Sequence, residues 1–160
     1  MINRNKKAKR LMGQNRQVER GFTLIELMIT LTVAAILTAI AVSAYQNSVR
    51  ESRRTEAKTA LMELATREQR LYATTNTYST IPADLGYTGT QFPLTVGAGY
   101  YQVNVVVIPA AGMAPASFEL TAIPIGSQVS DTQCAKFGLN SLGVQTAESS
   151  TGVNTLPTCW

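Results

Sequence analysis

From Leu27 to Val49 the chain runs 23 residues without a charge. At 1.5 Å per residue a helix of that length extends ~34 Å, enough to cross a ~30 Å hydrocarbon core. Seven of the fourteen Lys and Arg residues precede it, at Arg4, Lys6, Lys7, Lys9, Arg10, Arg16 and Arg20, with Glu19 the only acid among residues 1–21. The positive-inside rule keeps such a flank cytoplasmic. A secretory signal peptide has the same order of parts, but its apolar stretch is usually 7–15 residues and ends in a small-residue cleavage site. No such site follows cleanly here, so a retained membrane helix fits better.

The formal net charge of +4 belongs to that leader. Residues 22–160 hold seven bases and nine acids, a formal charge of −2, which gives a direct DNA-binding surface weak support. With 45% hydrophobic and 15% charged residues, the chain is no disordered tail. Its length bounds it to one modest domain plus non-globular segments. The absence of His excludes His-ligated metals and Ser-His-Asp triads. The remaining carboxylates are scattered, and no nucleophile sits beside an activating group, so no catalytic residue, metal ligand or cofactor site is assigned. Two Cys, at 134 and 159, allow one disulfide and no CxxC motif.

Beyond Tyr45 the helical pattern turns amphipathic. Val49, Ala57, Ala60, Leu61, Leu64 and Leu71 recur mostly at three- and four-residue spacing, the stripe of a half-buried helix. Glu63 and Arg67 form an i,i+4 pair on the other side. Arg50, Arg53, Arg54, Lys58, Arg67 and Arg70, with Glu51, Glu56, Glu63 and Glu68 among them, read as a solvated, charge-balanced face. No Gly or Pro lies between Phe22 and Ala73, so one helix of ~50 residues is expected, far longer than ordinary globular helices. Thr74 to Gly99 reads as a loop with little regular structure. Alternation predicts strands from Tyr101 to Ile108 and through Phe118, Leu120 and Ala122, with another over Ala135–Leu139 and a turn at Asn140–Gly143. Three or four antiparallel strands on the amphipathic half-helix make an α+β domain.

At the junction of leader and helix stands Arg20-Gly21-Phe22-Thr23-Leu24-Ile25-Glu26-Leu27. It resembles the processing and methylation site of type IV pilins, shared by type II secretion pseudopilins. Ala44-Tyr45-Gln46, Ser52-Arg53-Arg54, the Cys134 and Cys159 pair and the terminal Cys159-Trp160 are similar to minor type IV pilins of the PilE-like, type IVa-like kind. The C-terminal Cys pair disfavours the pseudopilin alternative. The resemblance implies the type IV pilin fold, with a helical spine packed on a small sheet and a disulfide-closed C-terminal loop. It implies cleavage between Gly21 and Phe22, N-methylation of Phe22, and an assembly role for Glu26. The expected organisation is a cleaved leader over residues 1–21, a transmembrane and filament-core helix over 22–45, and a head over 46–160. Two departures stand out. The leader of 21 residues is long, and a start at Met12 would shorten it to ten. Ala35 and Ser43 occupy positions where many members carry Gly and Pro, the two residues that most weaken a helix.

The implied role is a structural subunit of a type IV pilus, supporting biogenesis, twitching motility and adhesion. DNA uptake is an extension of it, with a pilin that binds DNA directly as the alternative. Implied partners are other pilin subunits, a prepilin peptidase/N-methyltransferase, an inner-membrane assembly platform, and membrane lipid before assembly. The subunit is expected in the inner membrane of a Gram-negative bacterium, N-terminus cytoplasmic, and later in the extracellular pilus. A buried Glu26 carboxylate is costly alone; paired with the new amine of Phe22, each charge neutralises the other. Thr23, Thr30, Thr32, Thr38 and Ser43 are expected to bond to carbonyls of their own helix. The small residues Ala34, Ala35, Thr38, Ala39, Ala41 and Ala44 permit close helix packing. A Cys134–Cys159 bridge on the oxidising side would close a 25-residue loop worth ~3.5 kcal/mol in the chain-entropy model.

Overall fold

The structure, a computed structural model, describes residues 21–160. The basic leader and the alternative start at Met12 lie outside the described residues. The chain divides into two compact units at Ala41–Val42, and one helix, α1 (Leu24–Thr75, 52 residues), contributes to both. Its length follows from the missing Gly and Pro. It stops where Asn76 adopts a left-handed φ of 57°, a conformation that Asn tolerates at a helix end.

In the first unit the large apolar side chains from Leu24 to Ile40 are all at least half exposed. Among the described residues nothing covers them, and an apolar surface of this kind is buried favourably by lipid or by other helices.

In the second unit α1 lays Ala57, Leu61 and Leu64, all fully buried, against a sheet. The sheet is antiparallel in the order β1 (Leu94–Val96), β2 (Tyr101–Ile108), β3 (Ser117–Pro124), β4 (Lys136–Asn140) and β5 (Gln145–Glu148). Period-two alternation aims Tyr101, Val103 and Val105 of β2 and Phe118, Leu120 and Ala122 of β3 at the helix. Register sets Val105 opposite Leu120 and Val103 opposite Ala122. Phe137, Leu139 and Ala147 continue this layer. Truncating any large member to Ala should cost about 2–5 kcal/mol.

The expected long helix and the β2, β3 and β4 strands are present. The stretch expected to hold little regular structure holds two short pieces of it. Between Thr75 and Tyr101 lie a 3-10 turn, Pro82–Leu85, and strand β1. Leu85 drops into the core at 4% exposure. The β1–β2 turn depends on Gly97 and Gly99, with φ of 57° and 88°, values that glycine adopts without a Cβ penalty. The count is five strands, because the Asn140–Gly143 turn leads back into β5. The Asn140 side chain accepts the amides of Leu142 and Val144 at 3.0 and 2.9 Å, fixing that turn. A short helix, α2 (Leu156–Cys159), ends the chain.

Candidate functional site

Thr23 precedes α1 and its Oγ1 accepts the amide of Glu26 at 3.2 Å. Thr23-Leu24-Ile25-Glu26 thus has the spacing of a capping box, with Thr at the cap and Glu three residues on. Gly21 and Phe22 lie just outside the helix, both exposed. Apart from its chain neighbours, no atom of the described residues lies within 4 Å of where a Cβ on Gly21 would stand. Cleavage before Phe22 would place a new amine one turn from the Glu26 carboxylate. The threonine hydroxyls within the apolar stretch are internally satisfied. Thr30, Thr32 and Thr38 donate to the carbonyls of Leu27, Met28 and Ala34 at 2.7–2.9 Å, as expected. Thr23 departs from that expectation, acting as an acceptor in the cap.

In the second unit Cys134 and Cys159 form the disulfide, Cα atoms 5.8 Å apart. Three further contacts fix the C-terminus beside it. Lys58 Nζ on α1 donates to the Cys159 carbonyl at 3.2 Å. The Trp160 indole donates to the Thr146 carbonyl of β5 at 2.7 Å. The same ring meets Phe137 edge-on at 6.0 Å. Gly21, Phe22 and Glu26 therefore belong to the first unit and the cysteines to the second.

Two features contradict the expectation of a uniformly solvated charged face on α1. Arg54 makes a bidentate pair with Asp131, both bonds 2.7 Å, with side chains 15% and 3% exposed. Gln128, fully buried, donates to Asp131 Oδ2 and to the Tyr101 hydroxyl, each at 3.2 Å. The Asp131 hydrogen bonds raise the pKa of Arg54, and burial raises that of Tyr101. This network ties α1 to β2 and to the turn before Cys134.

Glu68 is the second exception. It is fully buried, Oε2 accepts the Ser79 amide at 3.2 Å, and Oε1 has no partner. Burial pushes its pKa up, chiefly by desolvation. The sequence did carry a signal for it: 57, 61, 64 and 68 are one three-and-four spaced stripe, and a carboxylate completes it. Asp131 carried none, because its partner lies 77 residues away.

The other cations of α1 are mostly engaged. Arg53 lies 3.6 Å over the Tyr100 ring and donates to Ser127. Arg67 pairs with Glu63 at 2.7 Å, donates to the Leu85 carbonyl and lies 4.4 Å from the Tyr87 ring. Only Arg50 and Arg70, of the Lys and Arg side chains in this unit, have no such contact among the described residues.

Comparison with known proteins adds the following. Residues 43–138 match the family described as type IV minor pilin ComP, DNA uptake sequence receptor. Residues 16–42 match the prokaryotic N-terminal methylation motif. The chain is 33% identical over 102 residues to the type IV major pilin protein PilA of Myxococcus xanthus, covering 59% of this chain and 46% of that protein. It is 39% identical over 97 residues to the fimbrial protein EcpC of Eikenella corrodens, covering 61% and 59%. The chain thus spans about half the length of these relatives. A solved type IV pilin from Shewanella oneidensis aligns with a TM-score of 0.42 at 22% identity, over 69% of this chain and 97% of that one.

Proposed function

This chain belongs to the type IV minor pilin family ComP, and we propose that it works as a structural subunit packed into a type IV pilus through residues 22–45. The observation that carries the reading is the first unit. Its large apolar side chains are at least half exposed from Leu24 to Ile40, directly after a methylation motif. Such a surface is served first by lipid and then by neighbouring helices. Before assembly the subunit is a single-pass protein of the inner membrane, N-terminus cytoplasmic, in a Gram-negative cell. A prepilin peptidase/N-methyltransferase cleaves after Gly21 and methylates Phe22. A platform protein then passes the chain to other pilins, with Glu26 meeting the Phe22 amine. The head, residues 46–160, faces outward and supports biogenesis, twitching motility and adhesion. Mass spectrometry of sheared pili tests the reading. This chain should be present in them, beginning at N-methyl-Phe22, and confinement to the membrane fraction of piliated cells would overturn it.

Direct DNA binding is the second reading, favoured by the family's description as a DNA uptake sequence receptor. Against it, residues 42–160 carry seven bases and eight acids; four of those bases are held by the contacts above, and Lys136 pairs with Glu148 at 3.2 Å. Phosphate recognition needs unengaged cations on one face. A gel shift with the head and duplex DNA decides: the charge argument expects no salt-sensitive complex.

A further inference from the structure

At the tip of the β2–β3 hairpin the residues 108–115, Ile-Pro-Ala-Ala-Gly-Met-Ala-Pro, are all apolar and all exposed, Met113 completely. Single surface hydrophobics need no explanation, but an unbroken exposed run of them marks a contact surface. The tip is also stiff. Ala111 and Ala114 exchange backbone hydrogen bonds at 3.1 and 3.0 Å around a two-residue turn, with Gly112 at φ 60° in its first position. Pro109 and Pro115 fix φ on either side, so little ordering entropy is lost when the tip is bound.

The same unit holds a groove of about 670 Å³ between α1 and β1, lined by the apolar surfaces of Ala60, Tyr87, Leu94 and Val96 and by Glu56 and Glu63. Both carboxylates are already engaged, Glu56 by the Ala98 amide at 3.1 Å and Glu63 by Arg67. The groove therefore suits an apolar occupant without charge. The hairpin tip is such a segment, since no charged residue lies between Asp84 and Glu119.

Tip and groove stand at different levels along α1. β2 starts near Arg50, because Gln128 bonds both the Tyr101 hydroxyl and the Arg50 carbonyl. It ends near Tyr72: Phe118, opposite Val107, meets Tyr78 edge-on at 4.9 Å, and Tyr78 stacks on Tyr72 at 4.5 Å. The tip extends past that end. On α1 the groove reaches only from Ser52 to Glu63, and Glu63 stops nine residues short of Tyr72, ~14 Å at 1.5 Å per residue. One copy cannot fill its own groove, whereas a copy displaced along α1 can.

We infer that the hairpin tip of one copy seats Met113 in the α1–β1 groove of the next copy along the filament. Met suits an irregular apolar recess because its side chain is unbranched and flexible. Tip and groove are different patches, so each added copy leaves one of each open and the contact runs head to tail. The inference rests on the filament proposed above. A hairpin tip is small against the ~1,200 Å² of a stable protein pair, so it engages where packed helices already hold copies at high effective concentration.

Crosslinking of sheared pili with a bis-maleimide tests this, in cells making the full chain with Thr59→Cys and Ala114→Cys. Both positions are exposed, and the native cysteines are closed in their disulfide. The double variant should give a ladder of dimers, trimers and higher products of this chain, and each single variant should give none. Adding Met113→Asp should lower the ladder per copy about tenfold, a factor that burial of one apolar side chain supplies, while Met113→Leu should leave it unchanged. A ladder indifferent to Met113→Asp overturns the seat. Products that stop at dimers overturn the head-to-tail order, and crosslinks to other pilins alone overturn a second copy as the occupant. No crosslink in pili that contain this chain overturns the inference alone; absence of the chain from pili overturns the filament reading and the inference with it.

Discussion

The Glu26 amide donates to Thr23 Oγ1 at 3.2 Å, so the carboxylate proposed to meet the Phe22 amine sits at the third position of a capped helix. Cap and charge can be separated chemically, because Gln serves a capping box as Glu does. Lipid tails are as apolar as a partner helix, so apolar contact alone sets no register between subunits. Glu26→Gln should therefore leave α1 and membrane insertion intact while lowering incorporation into sheared filaments. Glu26→Ala should do the same and also loosen the first turn. Normal incorporation of the Gln variant, read by quantitative mass spectrometry, would refute the ion-pair account.

Gly21→Ala should block maturation. Among the described residues, chain neighbours aside, nothing lies within 4 Å of the added methyl, so a loss of processing would report recognition by the peptidase rather than damage to the chain. Accumulation of the uncut form on a blot is the readout; normal cleavage would sink the assignment.

Removing the disulfide by Cys134→Ser with Cys159→Ser should lower the head's stability by about 3.5 kcal/mol, from the 25-residue separation. Lys58 and Trp160 still hold the C-terminus, so the variant should fold. Urea unfolding of oxidised and reduced head measures the difference, and coincident transitions would contradict it.

Arg54→Ala should be more damaging than any other single change to a charged residue of α1. It strands Asp131, 3% exposed, as a buried charge, a change that typically costs about 3–5 kcal/mol. Arg54→Met with Asp131→Leu should recover most of the loss, since neither charge is then buried alone. A double variant as unstable as the single one would show that the pair itself, rather than the stranded charge, governs stability.

Glu68 predicts the pH dependence. Its folded pKa is raised, so the fold favours the protonated form. That contribution is fully present below the unfolded value of about 4.5 and is lost as pH rises through the folded one. Stability should therefore decline as pH increases above about 4.5. Glu68→Gln, which cannot ionise, should flatten that decline. Denaturant midpoints across the range provide the check, and identical slopes in the two proteins would exclude Glu68 as the cause.

The parts of this molecule legible in the sequence are those governed by local pattern. The missing Gly and Pro gave the length of α1, and alternation gave β2 and β3. The leader junction singled out Gly21, Phe22 and Glu26, on which the proposed processing and assembly rest. What was hidden depends on distant partners. β1 is three residues whose strand state comes from pairing Leu94 with Val103, and Gln-Thr-Ala-Glu of β5 has little strand propensity of its own. The burial of Asp131 follows from Arg54, 77 residues away. Glu68 lay in plain periodicity, but its charge outweighed its position.

The sheet ends in strands of only three and four residues, and beside β5 the chain returns through a Glu148–Asn154 bridge and α2. Few backbone donors and acceptors are left for a stranger's strand to zip onto. In the membrane-held state proposed above, such short, covered edges would guard against amyloid-like growth, which is hard to undo. In the proposed filament, joining is left to side-chain contacts, which part without unzipping a backbone ladder.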